Sequence, residues 1–172
     1  MNETSSSGSS KVEHNELRQE LLRAEKAGGQ TGQAASSVMK VLFPHMILEE
    51  EYAMPPLKLL PRLARGELTP EMSRILAKTD ALKAELPQML EEHTLIVMAL
   101  KVLLQAATEE KHPEFVQFAS KLIAHAQQEE EVLYPAAILV GGFRGKPERP
   151  RPDRHAVHHE RRHVRPGGRG CP

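Results

Sequence analysis

The chain of 172 residues contains a single cysteine, Cys171, which lies next to the C-terminus. An internal disulfide bond is therefore impossible, and this fits a reducing compartment. No apolar run approaches the roughly 18 residues that a membrane-spanning helix needs, and the opening MNETSSSGSS lacks the basic and apolar regions of a signal peptide. These absences predict a soluble cytoplasmic protein without a membrane segment.

The chain also has no net charge, because 23 Lys and Arg balance 23 Asp and Glu, but the two signs are unevenly distributed. Residues 141–172 carry nine basic and three acidic residues, a net charge of +6, so residues 1–140 carry 14 basic and 20 acidic residues, a net charge of −6. The acidic body argues against a nucleic-acid-binding core. The basic tail could touch anionic surfaces, although we expect it to be a solvated tail.

Strand-like alternation is almost absent, and the apolar periodicity is helical throughout. Glycines, prolines and capping residues delimit four principal helices, which we place at residues 11–27, 33–54, 70–107 and 113–140. Pro44 should kink the second helix, and Pro55 should end it. We therefore predict an all-α protein, an antiparallel four-helix bundle with one longer connection in the middle.

The two ends of the chain have compositions that do not favour packing. Residues 1–10 are rich in serine, and residues 141–172 are rich in Gly, Pro, Arg and His with few groups to bury. We expect both ends to be disordered and assign residues 11–140 as the one folded domain. The tail could bind metal through its histidines, although an unstructured tail is the simpler interpretation; these are His155, His158, His159 and His163.

One eleven-residue pattern occurs twice, as HMILEEEYAMP at residues 45–55 and as HAQQEEEVLYP at residues 125–135. Each copy has a histidine, three residues, three glutamates, three residues and a proline. The first glutamate follows the histidine by four residues, so both side chains lie on the apolar face of a helix. A carboxylate on a buried face is costly unless it is paired or bound to a metal.

A histidine lies on the apolar stripe of each predicted helix. His14 and His45 are 31 residues apart and centred on the GGQTG turn, whereas His93 and His125 are 32 apart and centred on TEEKHP. Each predicted hairpin therefore brings two histidines to one level, and two facing pseudo-repeats would bring all four together with two glutamates. Mixed imidazole and carboxylate ligands favour iron, manganese or zinc. We predict a metal site of six residues: His14, His45, Glu49, His93, His125 and Glu129.

Other polar residues near this pattern have simpler interpretations. The remaining glutamates of the two EEE runs are expected to face solvent, although Glu130, five residues after His125, could turn inward. Tyr52 and Tyr134 could hydrogen-bond near the site, but we expect core packing with a solvated hydroxyl. His112 is expected to cap the last helix.

These residues resemble those of the hemerythrin-like family, also called the HHE cation-binding domain. The resemblance covers residues 11–140 and is carried by His14, by HMILE and HAQQE in the two repeats, and by the histidine of LEEHTLI. It implies a four-helix bundle that holds a non-haem di-iron centre with carboxylate and oxo or hydroxo bridges. Glu49 and Glu129 would be the bridging carboxylates. The roles that it implies include oxygen binding, oxygen or redox sensing, iron handling and the response to nitric oxide.

One position departs from the oxygen-carrying hemerythrins, which have a second histidine where this chain has Val97. Their final acidic ligand lies five residues after the last histidine, which here would be Glu130 rather than Glu129. Six ligands instead of seven would leave an open position on one metal, unless Glu130, Glu92 or water fills it. The resemblance thus implies a protein that binds or reacts with oxygen, peroxide or nitric oxide, more a metal-binding protein than a dedicated enzyme. Iron storage without turnover and a regulatory helical bundle are the alternatives.

Overall fold

The structure, a computed structural model, describes the backbone of residues 6–143 and the side chains of residues 13–143. All regular structure in residues 6–143 is helical and no strand is present there, so the predicted all-α class is confirmed. In the same range no helix combines the length and the apolar composition needed to cross a membrane. Residues 1–5 and the tail from residue 144, with its four histidines and Cys171, lie outside the described residues, and their disorder stays a prediction.

Four long helices make up most of the fold, and shorter helices connect and extend them. The helices are, in chain order, α1 (Ser6–Lys26), α2 (Gly29–Leu48), α3 (Met54–Leu57), α4 (Leu60–Ala64), α5 (Pro70–Leu76), α6 (Lys78–Glu109), α7 (Pro113–Gln128) and α8 (Tyr134–Gly141). α1 packs against α2, α2 against α6 and α6 against α7, which is consistent with a helical bundle.

Several predicted helix limits are correct, and others differ. The predicted start at Pro70 is correct, and Thr69 caps α5 by accepting the N–H of Met72. α1 begins at Ser6 rather than at residue 11, so the serines of residues 6–10 are helical. His112 precedes α7, but its side chain makes no capping hydrogen bond in the described structure and instead lies 3.5 Å from Glu114.

Each copy of the repeated pattern contains a π-helical turn, at Glu49–Ala53 and at Glu129–Leu133. In both, the N–H of the residue after the turn donates to the carbonyl of its first glutamate, five residues earlier. A proline follows immediately, and proline lacks an N–H and its ring meets the carbonyl four residues back in an α-helix. The wider turn accommodates this ring, so the chain stays helical through Pro55, and the predicted end of the helix there is wrong.

The extra residue in each π-helical turn changes which side chains face the core. Regular α-helical periodicity placed Val132 on the buried stripe, but Val132 is 58% exposed. Tyr134 and Ala137 are fully buried instead. The first repeat shows the same shift, because Ala53 is buried while Tyr52 is half-exposed.

Two apolar clusters pack above and below the predicted polar residues along the long helices. The larger cluster joins α1, α2, α6 and α7 and includes Leu21, Val38, Leu42, Leu100 and Leu122. The smaller cluster lies beyond the π-helical turns and contains Ala53, Leu82, Met89, Tyr134 and Ala137. The histidines and buried glutamates fall between the two clusters, so apolar side chains separate them from solvent along the helix axes.

Glu110 links the two helix connections at the other end of the protein. Its Oε1 accepts the N–H of Gln30 at 2.8 Å, and its Oε2 accepts the N–H of Thr31 at 2.9 Å. These N–H groups are among those left without a partner at the start of α2. Gly29 permits the approach, since a Cβ atom there would lie 2.5 Å from the carboxylate. The Thr31 hydroxyl and these N–H groups hold the pKa of Glu110 at about 2.

Replacing Glu110 by Gln is expected to lower the free energy of unfolding at neutral pH, because the amide has one oxygen acceptor where the carboxylate has two. The lowered pKa sets the sign of the pH dependence. The stabilisation is complete above the ordinary value of 4.5 and is lost as the pH falls towards about 2. Urea unfolding of E110Q and wild type at a series of pH values measures this stabilisation. The free energies of unfolding of the two proteins should converge as the pH is lowered.

Glu109→Gln is the matched control, because Glu109 is the preceding residue and accepts a hydrogen bond from Gln105 within α6. It should leave stability nearly unchanged. Equal stability of E110Q and wild type at neutral pH would contradict the assignment of Glu110 as the cap of α2.

Candidate metal centre

The six predicted residues lie in two groups, in each of which one donor atom per residue lies within 4.8 Å of the others. The first group, site A, consists of His14, His125 and Glu129. The second group, site B, consists of His45, Glu49 and His93. Five of the six side chains are almost fully buried, and only the His125 side chain, 30% exposed, reaches solvent.

Glu49 belongs to site B but faces both sites. Its Oε1 lies 3.7 Å from His45 Nε2, and its Oε2 lies 3.5 Å from His14 Nε2 in site A. Burial raises the pKa of this carboxyl group, but its contacts with His45, Tyr134 and His14 outweigh burial and lower it to about 2. Glu49 is therefore an ionised carboxylate inside an apolar bundle.

Glu129 has the complementary position. Its Oε1 lies 2.9 Å from His125 Nε2 in site A, and its Oε2 lies 3.6 Å from His93 Nε2 in site B. Burial raises the pKa of Glu129 to about 7; the contact with His125 opposes the rise, and the charge of Glu49 adds to it. Two carboxylates thus lie close together in a buried layer, where the ionised form of Glu129 lacks sufficient partners.

His125 shows the same shortage of partners. Its Nε2 is a buried atom that has no hydrogen-bond partner among the described residues, because the 2.9 Å contact with Glu129 lacks hydrogen-bond geometry. An unpartnered imidazole nitrogen beside a buried carboxylate is the donor set that a metal ion requires. The residues present therefore fit a bound metal.

Carboxylates behind three of the histidines fix the orientation of their rings. The Nδ1 atoms lie 3.0, 2.8 and 3.0 Å from these carboxylates in the pairs His14–Glu50, His45–Glu92 and His93–Glu130. An ionised carboxylate can only accept, so each Nδ1 carries the ring proton and each Nε2 lone pair points into the metal sites.

The outer carboxylates differ in exposure. Glu50 was expected to face solvent but is only 25% exposed and bonds a site histidine on another helix. Glu130 is exposed, as expected, and also bonds a site histidine on another helix. Neither Glu130 nor Glu92 takes the position expected at Val97, because both lie at the outer nitrogens of histidines. Each of these glutamates is adjacent in sequence to a residue that was predicted to bind the metal. This adjacency could have indicated their role, since it places them at the edge of their helix that faces the neighbouring helix.

The hydroxyl group of Tyr134 lies inside site B. Its oxygen is 2.6 Å from Glu49 Oε1 and 3.1 Å from the Nε2 atoms of both His45 and His93. The ring is fully buried and stacks on His93 with 5.5 Å between centroids. Burial, and then the charge of Glu49, raises the pKa of this phenol far above its ordinary value. The expected core packing is correct, but the hydroxyl is not solvated.

Two clefts of about 470 Å³ each lead from solvent to His125. The first lies between α1 and α7 and is lined by Leu17, Phe118 and Leu122. The second reaches Glu129 and is lined by apolar side chains that include Met54 and Val132. A larger cleft of about 750 Å³ lies apart from both sites, at the turn between α6 and α7. A small molecule can therefore approach site A through these two clefts.

Comparisons of the chain with protein-family models, with curated proteins and with solved structures found no match. The assignment therefore depends on the residues and their geometry. They define a class of site: a buried layer of histidine and glutamate in a helical bundle, with two groups that could each hold a metal ion. The hemerythrin-like family and the identity of the metal stay predictions.

The buried position of Tyr134 can be tested by titration of metal-free protein. Tyr52→Phe leaves Tyr134 as the only tyrosine, since the chain has two tyrosines and no tryptophan. After treatment with a chelator, phenolate absorbance should stay flat as the pH rises through the ordinary value of 10.0. It should appear together with the loss of helical circular dichroism. Because the pKa of Tyr134 is raised in the folded protein, the free energy of unfolding is retained below the ordinary pKa of tyrosine and falls above it, where the unfolded chain ionises.

Phenolate absorbance near the ordinary pKa in protein that is still helical would contradict the placement of the Tyr134 hydroxyl. Tyr134→Phe, which leaves Tyr52, is the matched reference for a less buried tyrosine.

Proposed function

We propose that this protein is a non-haem di-iron protein of the hemerythrin type that binds or reacts with a small oxidant such as oxygen, peroxide or nitric oxide. The arrangement of the two buried carboxylates is the observation that carries the proposal. Glu49 and Glu129 each direct one oxygen at site A and the other at site B. A carboxylate that bridges two metals presents its oxygens in this way. The antiparallel arrangement of two pseudo-repeated hairpins is part of the same proposal.

The donor set supports iron as the metal. Imidazole and carboxylate together suit iron, manganese and zinc, and di-iron carboxylate centres recur in the cores of four-helix bundles. One metal would be held by site A and the other by site B, with the two glutamates shared. Bound iron would supply one-electron redox chemistry and a coordination position for the oxidant.

The chain contributes the environment for this chemistry. Glu50, Glu92 and Glu130 hold three imidazole rings in the orientation that directs their Nε2 atoms inward. Leu42 and Leu100, both buried, belong to the apolar cluster that excludes bulk water from one side. The clefts beside His125 provide access to site A, while site B is buried. The arrangement admits a small molecule to one metal and keeps solvent from the other.

Metal analysis of the full chain, with its four tail histidines replaced by glutamine, is the first test. Protein from cells supplied with iron is expected to contain about two irons per chain, because the bundle has two groups of donors. Glu49→Ala should lose iron from both sites, since this carboxylate faces both. Elemental analysis measures the content, and circular dichroism checks the fold.

Glu51→Ala is the matched control, because Glu51 belongs to the same run of glutamates but is exposed. It should keep the wild-type iron content. Folded wild-type protein without iron would refute the proposal, whereas bound iron that does not respond to oxygen, peroxide or nitric oxide would favour storage.

The access route gives a second test of the proposal. Val132 lines the cleft that reaches Glu129 and is 58% exposed. Val132→Trp should cover this cleft and slow the reaction of the iron-loaded protein with peroxide several-fold, without changing its iron content. Stopped-flow absorbance spectroscopy measures the rate. Leu139→Trp, on α8 and 74% exposed, is the control and should react at the wild-type rate. Equal rates for both variants would exclude this cleft as the route.

A further inference from the structure

The two histidines of site B direct unprotonated nitrogens at Tyr134. The Nδ1 atoms of His45 and His93 lie 2.8 and 3.0 Å from the carboxylates of Glu92 and Glu130, which can only accept. A neutral imidazole has one ring proton, so each Nε2 carries a lone pair. Both lone pairs point at the Tyr134 oxygen, 3.1 Å away.

Tyr134 therefore has one proton for three acceptors. The shortest contact, 2.6 Å to Glu49 Oε1, takes this proton. The lone pairs of the hydroxyl oxygen then face the lone pairs of two imidazoles.

A cation would satisfy four atoms at once: the Tyr134 oxygen, Glu49 Oε1 and the Nε2 atoms of His45 and His93. Donor atoms bound at about 2.1 Å to one metal ion lie about 3 Å from one another, and the Tyr134 oxygen lies 2.6 to 3.1 Å from the three donors of site B. Its ring cannot turn away, because it is fully buried, stacks on His93 and packs with Leu82 and Met89. Val97, which is half-buried and close to His93 in the sequence, has no donor atom.

We infer that Tyr134 is a ligand of the metal in site B and binds it through the phenolate oxygen. The metal–oxygen bond replaces the O–H bond, and the proton leaves to solvent. The inference depends on the proposed function, because it requires iron in site B. Phenolate is a hard, anionic donor suited to ferric iron, and tyrosine is an iron ligand in catalase.

The repeated pattern shows that this ligand is confined to one site. Tyr134 is the residue before the proline of the second repeat, and Met54 is the residue before the proline of the first. Both are buried, and Met54 lines the cleft that reaches Glu129. A thioether is a soft and weak donor. With both glutamates shared, site B would then have five protein donors and site A four, so the exchangeable position would be at site A, beside the cleft.

Absorption and resonance Raman spectra of aerobically iron-loaded, full-length protein test this inference. Wild type and Tyr52→Phe should show a visible phenolate-to-iron charge-transfer band and phenolate vibrations. Tyr134→Phe should lose both while retaining most of its iron, since the other donors of site B remain. Iron-loaded wild type without this band would overturn the tyrosine ligand and leave the di-iron proposal standing. Folded wild type without iron would overturn both.

A labelling experiment keeps the inference testable if Tyr134→Phe fails to fold. Tyr134 is the only tyrosine in the Tyr52→Phe variant. Ring-deuterated tyrosine in that variant should shift the phenolate vibrations to lower frequency. Vibrations that do not shift belong to another group and would refute the assignment.

Discussion

The structure depends on two carboxylates that share one buried layer. Glu49 and Glu129 lie between apolar clusters, and the charge of one raises the pKa of the other. Ionised groups in such a place cost several kcal/mol each unless positive charge is near. The imidazoles supply part of this charge: neighbouring glutamates raise the pKa values of His45 and His125, whereas burial and the charge of His45 lower the pKa of His93. Metal ions would supply the missing charge, and they would do so at the points where the Nε2 lone pairs already converge. The carboxylates at the outer imidazole nitrogens orient the histidines of this layer, and the apolar clusters on either side exclude water from it.

The prolines of the repeated pattern determine where the site residues point. A proline at position 55 or 135 removes one backbone donor and crowds the preceding turn of a regular α-helix, and a π-helical turn precedes each one. The turn adds one residue, so the side chain five positions after the first glutamate faces the same layer as that glutamate. In the second repeat this side chain is Tyr134, and in the first it is Met54. π-Helical turns are frequent at functional sites, and here a backbone constraint at proline gives two residues of one helix access to the same site.

Much of the fold and of the candidate site was predictable because both depend on residue spacings along the chain. Residue distances from the two connections predict one level for His14 and His45 and one for His93 and His125, and helical spacing puts a glutamate one turn after two of them. The structure groups the histidines the other way, His14 with His125 and His45 with His93. The predictions that failed concern features that depend on tertiary structure. The start of α1 at Ser6 goes against a composition that favours disorder. Tyr134 was missed because periodicity of 3.6 residues does not hold across a π-helical turn. The outer glutamates were missed because their partners lie on other helices.

The two repeats provide one scaffold with two different chemistries. Both contribute a histidine, a spanning carboxylate and a proline-linked π-helical turn, so neither carboxylate can be assigned to one site alone. The difference lies in the residue before the proline. A tyrosine hydroxyl fills the space among the donors of site B, far from solvent, whereas the methionine lines a cleft beside the partly exposed His125. Exposure and the number of donor atoms thus vary together: the buried site has an additional oxygen atom among its side chains, and the accessible site does not. With metals bound as proposed, an oxidant that enters the cleft would meet the site with fewer protein donors, while Glu49 and Glu129 would link that site to the buried one.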